Sequence, residues 1–378
     1  MEDSGCIAGG YKVGSRTIDH SLVYVTTKDQ PKDRRQPWTV VYKTNLKTGK
    51  TESLTPSGSG GVIPGKGWNG EIEDLQTDIY MMNVEKPPLE RKRVIKNGGW
   101  PTWGSDAVYF FIERLGNFGV CFDTTLAMHG DDIQRNFHKL HSPHPDVGLF
   151  RVSGVFPTFS KDGSKLAFVD NEFKAVWVAD SQGLRIVYET KGPDNIFSPV
   201  WNQDPQKDVL YVCMGPSFNA GKTLEICAIP NVSSGARQRR KLTKGFNNAF
   251  PSSSPDGMKL VFRSTRDGGD KKYKNLYIME DAEVGEYGNG KVTRLTNGPW
   301  TDTHCQWSPT GDWIVFSSTR DKPKDAPETD NGLDPGYFAV FLVKANDPSV
   351  VVRVIKGGDD LAGHVNILSS VQMERALL

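Results

Sequence analysis

Short apolar runs recur along this chain, each just behind a polar turn. Leu166-Ala167-Phe168-Val169 follows Ser160-Lys161-Asp162-Gly163, Leu260-Val261-Phe262 follows Ser254-Pro255-Asp256-Gly257, and Trp313-Ile314-Val315-Phe316 follows Ser308-Pro309-Thr310-Gly311. The runs are strand-sized and rich in β-branched and aromatic residues, and Asp-Gly supplies a tight turn because glycine takes φ > 0 at no steric cost. Two weaker copies are Trp100-Pro101-Thr102-Trp103 with Val108-Tyr109-Phe110-Phe111, and Ser198-Pro199-Val200-Trp201 with Val209-Leu210-Tyr211-Val212. Behind the second strand comes Ser264-Thr265-Arg266-Asp267 or Ser318-Thr319-Arg320-Asp321, then a third strand such as Asn275-Leu276-Tyr277-Ile278-Met279 and a fourth such as Val292-Thr293-Arg294-Leu295-Thr296.

Four strands per unit, repeated at intervals of roughly 40 to 55 residues, are the arithmetic of a β-propeller. The expected fold is therefore all-β: a closed propeller of four-stranded antiparallel blades forming a single domain over residues 1–378. Units begin near Thr17, Gly58, Trp100, Phe156, Ser198, Phe250 and His304, about seven by this repeat logic, or six if the Gly-rich second unit is not a full blade. The first unit supplies only its second, third and fourth strands. Val365-Asn366-Ile367-Leu368-Ser369 is expected to add the missing one, so that the C-terminal strand closes the ring against the N-terminal strands and removes exposed edges. Residues 122–148, rich in His, Asp and Pro, are expected to form a long loop over one mouth.

The Ser-Pro-Asp-Gly turn combined with Ser-Thr-Arg-Asp resembles the TolB-like propeller repeat, which also builds the N-terminal propeller of the dipeptidyl peptidase IV family. The resemblance covers almost the whole chain. The stretch Gly67-Trp68-Asn69-Gly70-Glu71-Ile72-Glu73-Asp74 is similar to a segment of plant TolB-related proteins. A peptidase of the dipeptidyl peptidase type also needs an α/β-hydrolase domain with a Gly-x-Ser-x-Gly elbow, and Gly58-Ser59-Gly60 lacks that pattern.

Composition narrows the partners. Lys plus Arg is 46 against 45 for Asp plus Glu, a formal net charge of +1, which argues against a nucleic-acid binder. No apolar run is long enough to span a bilayer, and no secretory leader pattern is visible, so a cytoplasmic protein with free thiols is expected from its five cysteines.

Candidate chemistry lies where the first strands line the central channel. Alignment on the aromatic before the Ser-Pro-Asp-Gly turn puts Trp100, Phe156, Ser198, Phe250 and His304 at one repeat position, just before the proline where one is present. The C-terminal strand adds His364. Two histidines at equivalent sites suit a general acid/base pair in an apolar pore. With Asp302 or Asp360 they could instead bind a divalent metal; otherwise no cofactor is expected. Oligogalacturonate lyases are similar propellers with pore histidines around a divalent metal, and two aligned histidines fall short of that fuller set. Simple capping of strand ends is the bland alternative. Trp100, Phe156, Phe250 and Trp300 would offer an aromatic or cationic ligand stacking surfaces if they face the channel, although packing between blades explains them too. Asn248 and Asp302 sit where they could orient such a ligand, and turn formation accounts for the asparagine equally well. The acidic cluster Glu71, Glu73 and Asp74 and the run His138, His141 and His144 are minor candidates for cations. Two functions follow: a small-molecule enzyme of specialised metabolism, of the lyase, cyclase, isomerase or hydrolase type, with its site at the channel, or a non-catalytic scaffold that binds a protein at the propeller rim or a small molecule.

Overall fold

A computed structural model describes residues 21–26, 40–53, 79–82, 91–95, 98–103, 108–114, 117–120, 155–321 (except 163, 171, 181 and 236) and 339–354. The expected ring closure by residues 365–369 and the loop at 122–148 lie outside the described residues. Strands β1 (Ser21–Thr26), β2 (Val40–Asn45) and β3 (Thr51–Ser53) form one antiparallel sheet, β4 (Ile79–Met82) and β5 (Arg91–Ile95) a second, and β6 (Gly98–Trp103), β7 (Val108–Arg114) and β8 (Asn117–Val120) a third.

Four sheets with four strands each follow. They are β9 (Val155–Phe159), β10 (Leu166–Val169), β11 (Ala175–Asp180) and β12 (Gly183–Glu189); β13 (Asn195–Trp201), β14 (Val209–Gly215), β15 (Glu225–Pro230) and β16 (Arg240–Lys241); β17 (Asn248–Ser253), β18 (Leu260–Ser264), β19 (Asn275–Met279) and β20 (Val292–Arg294); and β21 (Asp302–Trp307), β22 (Trp313–Ser318), β23 (Ala339–Lys344) and β24 (Asp347–Arg353). Every sheet is a simple antiparallel meander, and from β4 onward the first strands of consecutive sheets (β4, β6, β9, β13, β17 and β21) lie side by side. The architecture is all-β and propeller-like.

The strands of the two middle sheets, β13–β16 and β17–β20, read as continuous apolar runs because each is covered on both faces. In β18 Leu260 and Phe262 pack towards β13–β16, whereas Val261 packs towards β21–β24. In β14 Tyr211 and Cys213 face one neighbour, and Leu210, Val212 and Met214 the other. Side chains that alternate across a strand thus enter two separate cores.

The turn joining first and second strands is a hydrogen-bonded unit, Ser-x-Asp in two sheets and, with Thr310 in the aspartate's place, Ser-x-x-x-Asp in the third. The Ser160, Ser254 and Ser308 hydroxyls donate to Asp162 (2.5 Å), Asp256 (2.5 Å) and Asp312 (3.0 Å). Each hydroxyl also accepts the backbone N–H five residues on, from Lys165, Lys259 and Trp313 at 2.9–3.0 Å. Partial burial opposes ionisation of these carboxylates, but the hydroxyl and backbone donors outweigh it and hold all three below the usual carboxylate range. Gly257 closes its turn at φ +68°, and a Cβ there would run into the Asn202 side chain, whose amide bonds the Gly257 carbonyl (3.0 Å) and the Tyr211 hydroxyl (2.8 Å). Gly311 has φ +75°, with nothing closer than 3.6 Å to the corresponding position.

Two outcomes are expected. Gly311→Ala costs only the left-handed backbone strain, about 1 kcal/mol, and Gly257→Ala costs clearly more; urea unfolding of the two variants checks the order. Asp256→Ala lowers stability at neutral pH by roughly 1 kcal/mol, the scale of one such hydrogen bond. Because the folded-state pKa of Asp256 is depressed, that contribution is present above the unfolded value and disappears as pH falls through the folded one. Melting curves of wild type and variant should therefore converge on acidification.

Candidate active site on the first strands

The repeat position before the proline has one backbone conformation in four consecutive sheets. Phe156, Ser198, Phe250 and His304 all adopt positive φ, at 56°, 47°, 53° and 51°. At each the pairing with the second strand shifts register; in β6 the shift falls between Gly99 and Thr102, around Trp100. A proline has no N–H to give the ladder, and a bulge absorbs that loss while re-aiming the side chain beside it. In β21 Cys305 replaces the proline, and its thiol approaches the Phe250 carbonyl at 3.5 Å, tying two neighbouring bulges together. His364 lies outside the described residues. For Trp100 the strand is described but not the side chain.

Phe250 and His304 meet: their ring centroids are 4.2 Å apart and tilted by 30°. Phe218 stacks on Phe250 at 5.1 Å, and the buried Arg263 guanidinium lies 4.8 Å from the same ring centre. The contacts continue from Phe218 to Phe197 (4.6 Å), to Phe173 (5.4 Å) and to Phe156 (6.3 Å). The result is an unbroken run of rings ending in an imidazole. Phe173 and Phe218 escaped the sequence reading. They stand in the turns after β10 and β14, where the stretches are Asp170-Asn171-Glu172-Phe173 and Gly215-Pro216-Ser217-Phe218 rather than Ser-Thr-Arg-Asp. That missing motif was the available signal.

Where the motif is present, its arginine is enclosed instead. Arg320 donates to both oxygens of Asp302 (3.1 and 3.2 Å) and to the Ser318 hydroxyl (3.0 Å), and lies over the rings of Trp300, Phe316 and Phe341 at 4.7–5.1 Å. Arg266 repeats the arrangement with Asn248 (3.2 Å), Ser264 (3.2 Å), both Glu286 oxygens and the rings of Phe246, Phe262 and Tyr277. The threonines join in: Thr265 and Thr319 accept the backbone N–H of Asn247 and Thr301. The motif thus fastens the end of the second strand to the start of the first.

Three of the expected ligand-binding residues belong to these arginine enclosures. Trp300 covers Arg320 and donates from Nε1 to Asp302 (3.1 Å). Asp302 is fully buried beneath it. Asn248 is also fully buried, with its amide nitrogen on the Leu224 and Gly245 carbonyls. Strand positioning accounts for all three without a ligand. Phe156, Phe250 and His304, by contrast, are brought into one wall.

Among the described residues no group of three or more His, Cys, Asp or Glu side chains is placed to hold a metal. Asp360, Glu71, Glu73, Asp74, His138, His141 and His144 lie outside them. Cys213, Cys227 and Cys305 are free and buried, and burial pushes the Cys213 and Cys227 thiols up to about 12 and 11, far from reactive thiolates. No helix among the described residues is long and apolar enough to cross a membrane.

Comparison with known proteins agrees with this geometry. Residues 164–324 match the TolB beta propeller domain, in line with the propeller-like repeat of four-stranded sheets seen there. A structure from Agrobacterium tumefaciens provisionally named TolB is 20% identical, with 92% of this chain and 98% of that one covered and a TM-score of 0.46. A Bacteroides uniformis chain provisionally named a 6-phosphogluconolactonase shares 12% identity over 92% of this chain and 99% of that one, with a TM-score of 0.50. A puromycin-hydrolyzing peptidase of Mycobacterium tuberculosis shares 14% identity over 93% of this chain, with a TM-score of 0.57; the match spans 53% of the peptidase. At these identities the likeness is one of fold.

The enclosures yield a discriminating experiment. Asp302→Ala strands the Arg320 charge in a buried setting and should cost about 3 kcal/mol of stability, read by guanidinium unfolding. A ligand-binding role without a structural one would leave the unfolding midpoint unmoved.

Proposed function

We propose that this protein is a small-molecule enzyme, with its site on the face where the first strands meet and His304 as its proton-transfer group. The observation that carries the reading is that a histidine occupies the left-handed bulge position where neighbouring sheets place Phe156, Ser198 and Phe250. The backbone there does not require histidine, since three other side chains share it. Histidine is also the one residue type in this wall that exchanges protons near neutral pH. The Phe250 ring 4.2 Å away makes one side of the imidazole apolar, which strengthens any polar contact made there with a substrate. Proton abstraction or donation at a polarised carbon or oxygen suits this arrangement, in the manner of a lyase, isomerase or hydrolase. His364, in the C-terminal segment expected from the sequence to close the ring, is its proposed partner.

A rim-binding scaffold is the second reading. It is favoured by two exposed aromatics, Phe246 (48%) and Tyr287 (52%), the latter with the Lys244 ammonium 5.0 Å from its ring centre.

His304→Phe separates the two, because Phe250 shows that the position accepts phenylalanine. The variant should melt with wild type and lose turnover by about 10²–10⁴-fold when lactones, esters and carbon acids are screened by mass spectrometry. Full retention of an activity found in wild type would reject the role of His304.

A further inference from the structure

The wall continues well beyond Phe250 and His304. Five phenylalanines and the imidazole touch in sequence across the first strands of four sheets, from Phe156 through Phe173, Phe197, Phe218 and Phe250 to His304. Phe197 is buried in the core between β13–β16 and β17–β20, and Phe156, Phe173, Phe218 and Phe250 pack against that core from its edge. The aromatics between the sheets, Phe168, Phe262 and Phe316, are at most 1% exposed, whereas Phe156, Phe173, Phe218, Phe250 and His304 all keep part of their surface open. Apart from the Phe218–Phe250 stack, the rings meet at 30–54°, which leaves edges and partial faces free to pack against another flat group. The Arg263 charge beneath Phe250 is 1% exposed, so histidine is the ionisable group that this surface presents. The Ser198 hydroxyl occupies the remaining bulge position.

We infer that this wall binds an extended, planar, largely apolar molecule with a single polar end, the polar end at His304 and the far end at Phe156. The inference rests on the small-molecule reading of His304 and adds the class of ligand. Phe156 is then the residue that sets how long a ligand profits from the wall. Three sheets away from the imidazole, it touches the far end only.

A ladder of alcohols of growing planar area tests it: benzyl alcohol, 2-naphthalenemethanol and 1-pyrenemethanol, with 1-decanol as a flexible apolar control. Binding is followed by ligand-observed NMR and by pyrene fluorescence. Affinity should rise about tenfold at each enlargement, the combined scale of added ring contact and apolar burial. 1-Decanol should fall well below 1-pyrenemethanol. Phe156→Ser installs the residue that the next sheet carries at the same left-handed position. It should leave all three alcohols unchanged, because packed sheets lie about 10 Å apart and none of the three reaches three sheets from His304; weakening of any of them overturns the placement of the polar end. Phe218→Leu, which keeps the volume and removes the ring, should weaken the two larger probes. His304→Phe should weaken all three alcohols by a similar factor. Affinity that does not grow with planar area, or 1-decanol binding as tightly as 1-pyrenemethanol, overturns the extended wall. If His304→Phe still weakens every alcohol in that case, the small-molecule reading survives. If none of the alcohols binds to wild type, the extended wall is rejected, and turnover by His304→Phe decides the small-molecule reading separately.

Discussion

A first strand carrying proline cannot keep a regular ladder, and the rest of the molecule is arranged around how that is resolved. Each of four sheets inserts one left-handed residue ahead of the second half of its first strand. The pairing shifts, the missing N–H is absorbed in the three sheets that carry the proline, and one side chain is turned out of the pleat, in β21 beside Cys305 as well. Such a conformation is strained for phenylalanine or histidine, so it persists only where the surroundings fix it. Here they do so from two directions. In β17–β20 the second strand is buried on both faces by neighbouring sheets, and the Ser-x-Asp turn locks the far end of the same hairpin through a hydroxyl that donates and accepts at once.

A division of labour follows among the sheets. In β17–β20 and β21–β24 an arginine joins the end of the second strand to the start of the first, and aromatic rings are recruited around it. In β9–β12 and β13–β16 that turn has no arginine, and its phenylalanine reaches the neighbouring first-strand rings instead. One location in the repeat therefore serves as fastening in half of these sheets and as surface in the other half. The wall is consequently lopsided, with rings supplied mostly from the arginine-free side and the imidazole at the opposite end.

The architecture was legible because it is written in local chemistry. Asp162, Asp256 and the glycines behind them need no tertiary information to be read as turns, and the repeat spacing does the rest. The equivalence of Phe156, Ser198, Phe250 and His304 was legible for the same reason. What those positions share, a bulge with positive φ, was not, because nothing in Phe-Pro or Ser-Pro announces a left-handed residue. Trp300 and Asp302 looked like ligand groups since a tryptophan beside an aspartate near a channel has that composition. Only the three-dimensional return of Arg320 reveals their use. Phe173 and Phe218 were invisible to an alignment on the first strand, because they reach the wall from another part of the repeat.

The shared bulge also separates shape from chemistry. Phenylalanine, serine and histidine occupy one backbone geometry in adjacent sheets without altering the strands around them. The position behaves as a socket, held by the frame and indifferent to its occupant. Repeat proteins usually diversify through loops, whose length and path must change together with their contacts. A socket lets a lineage exchange a ring for a hydroxyl or an imidazole by single substitutions, each made against a scaffold already paid for by the sheets on either side.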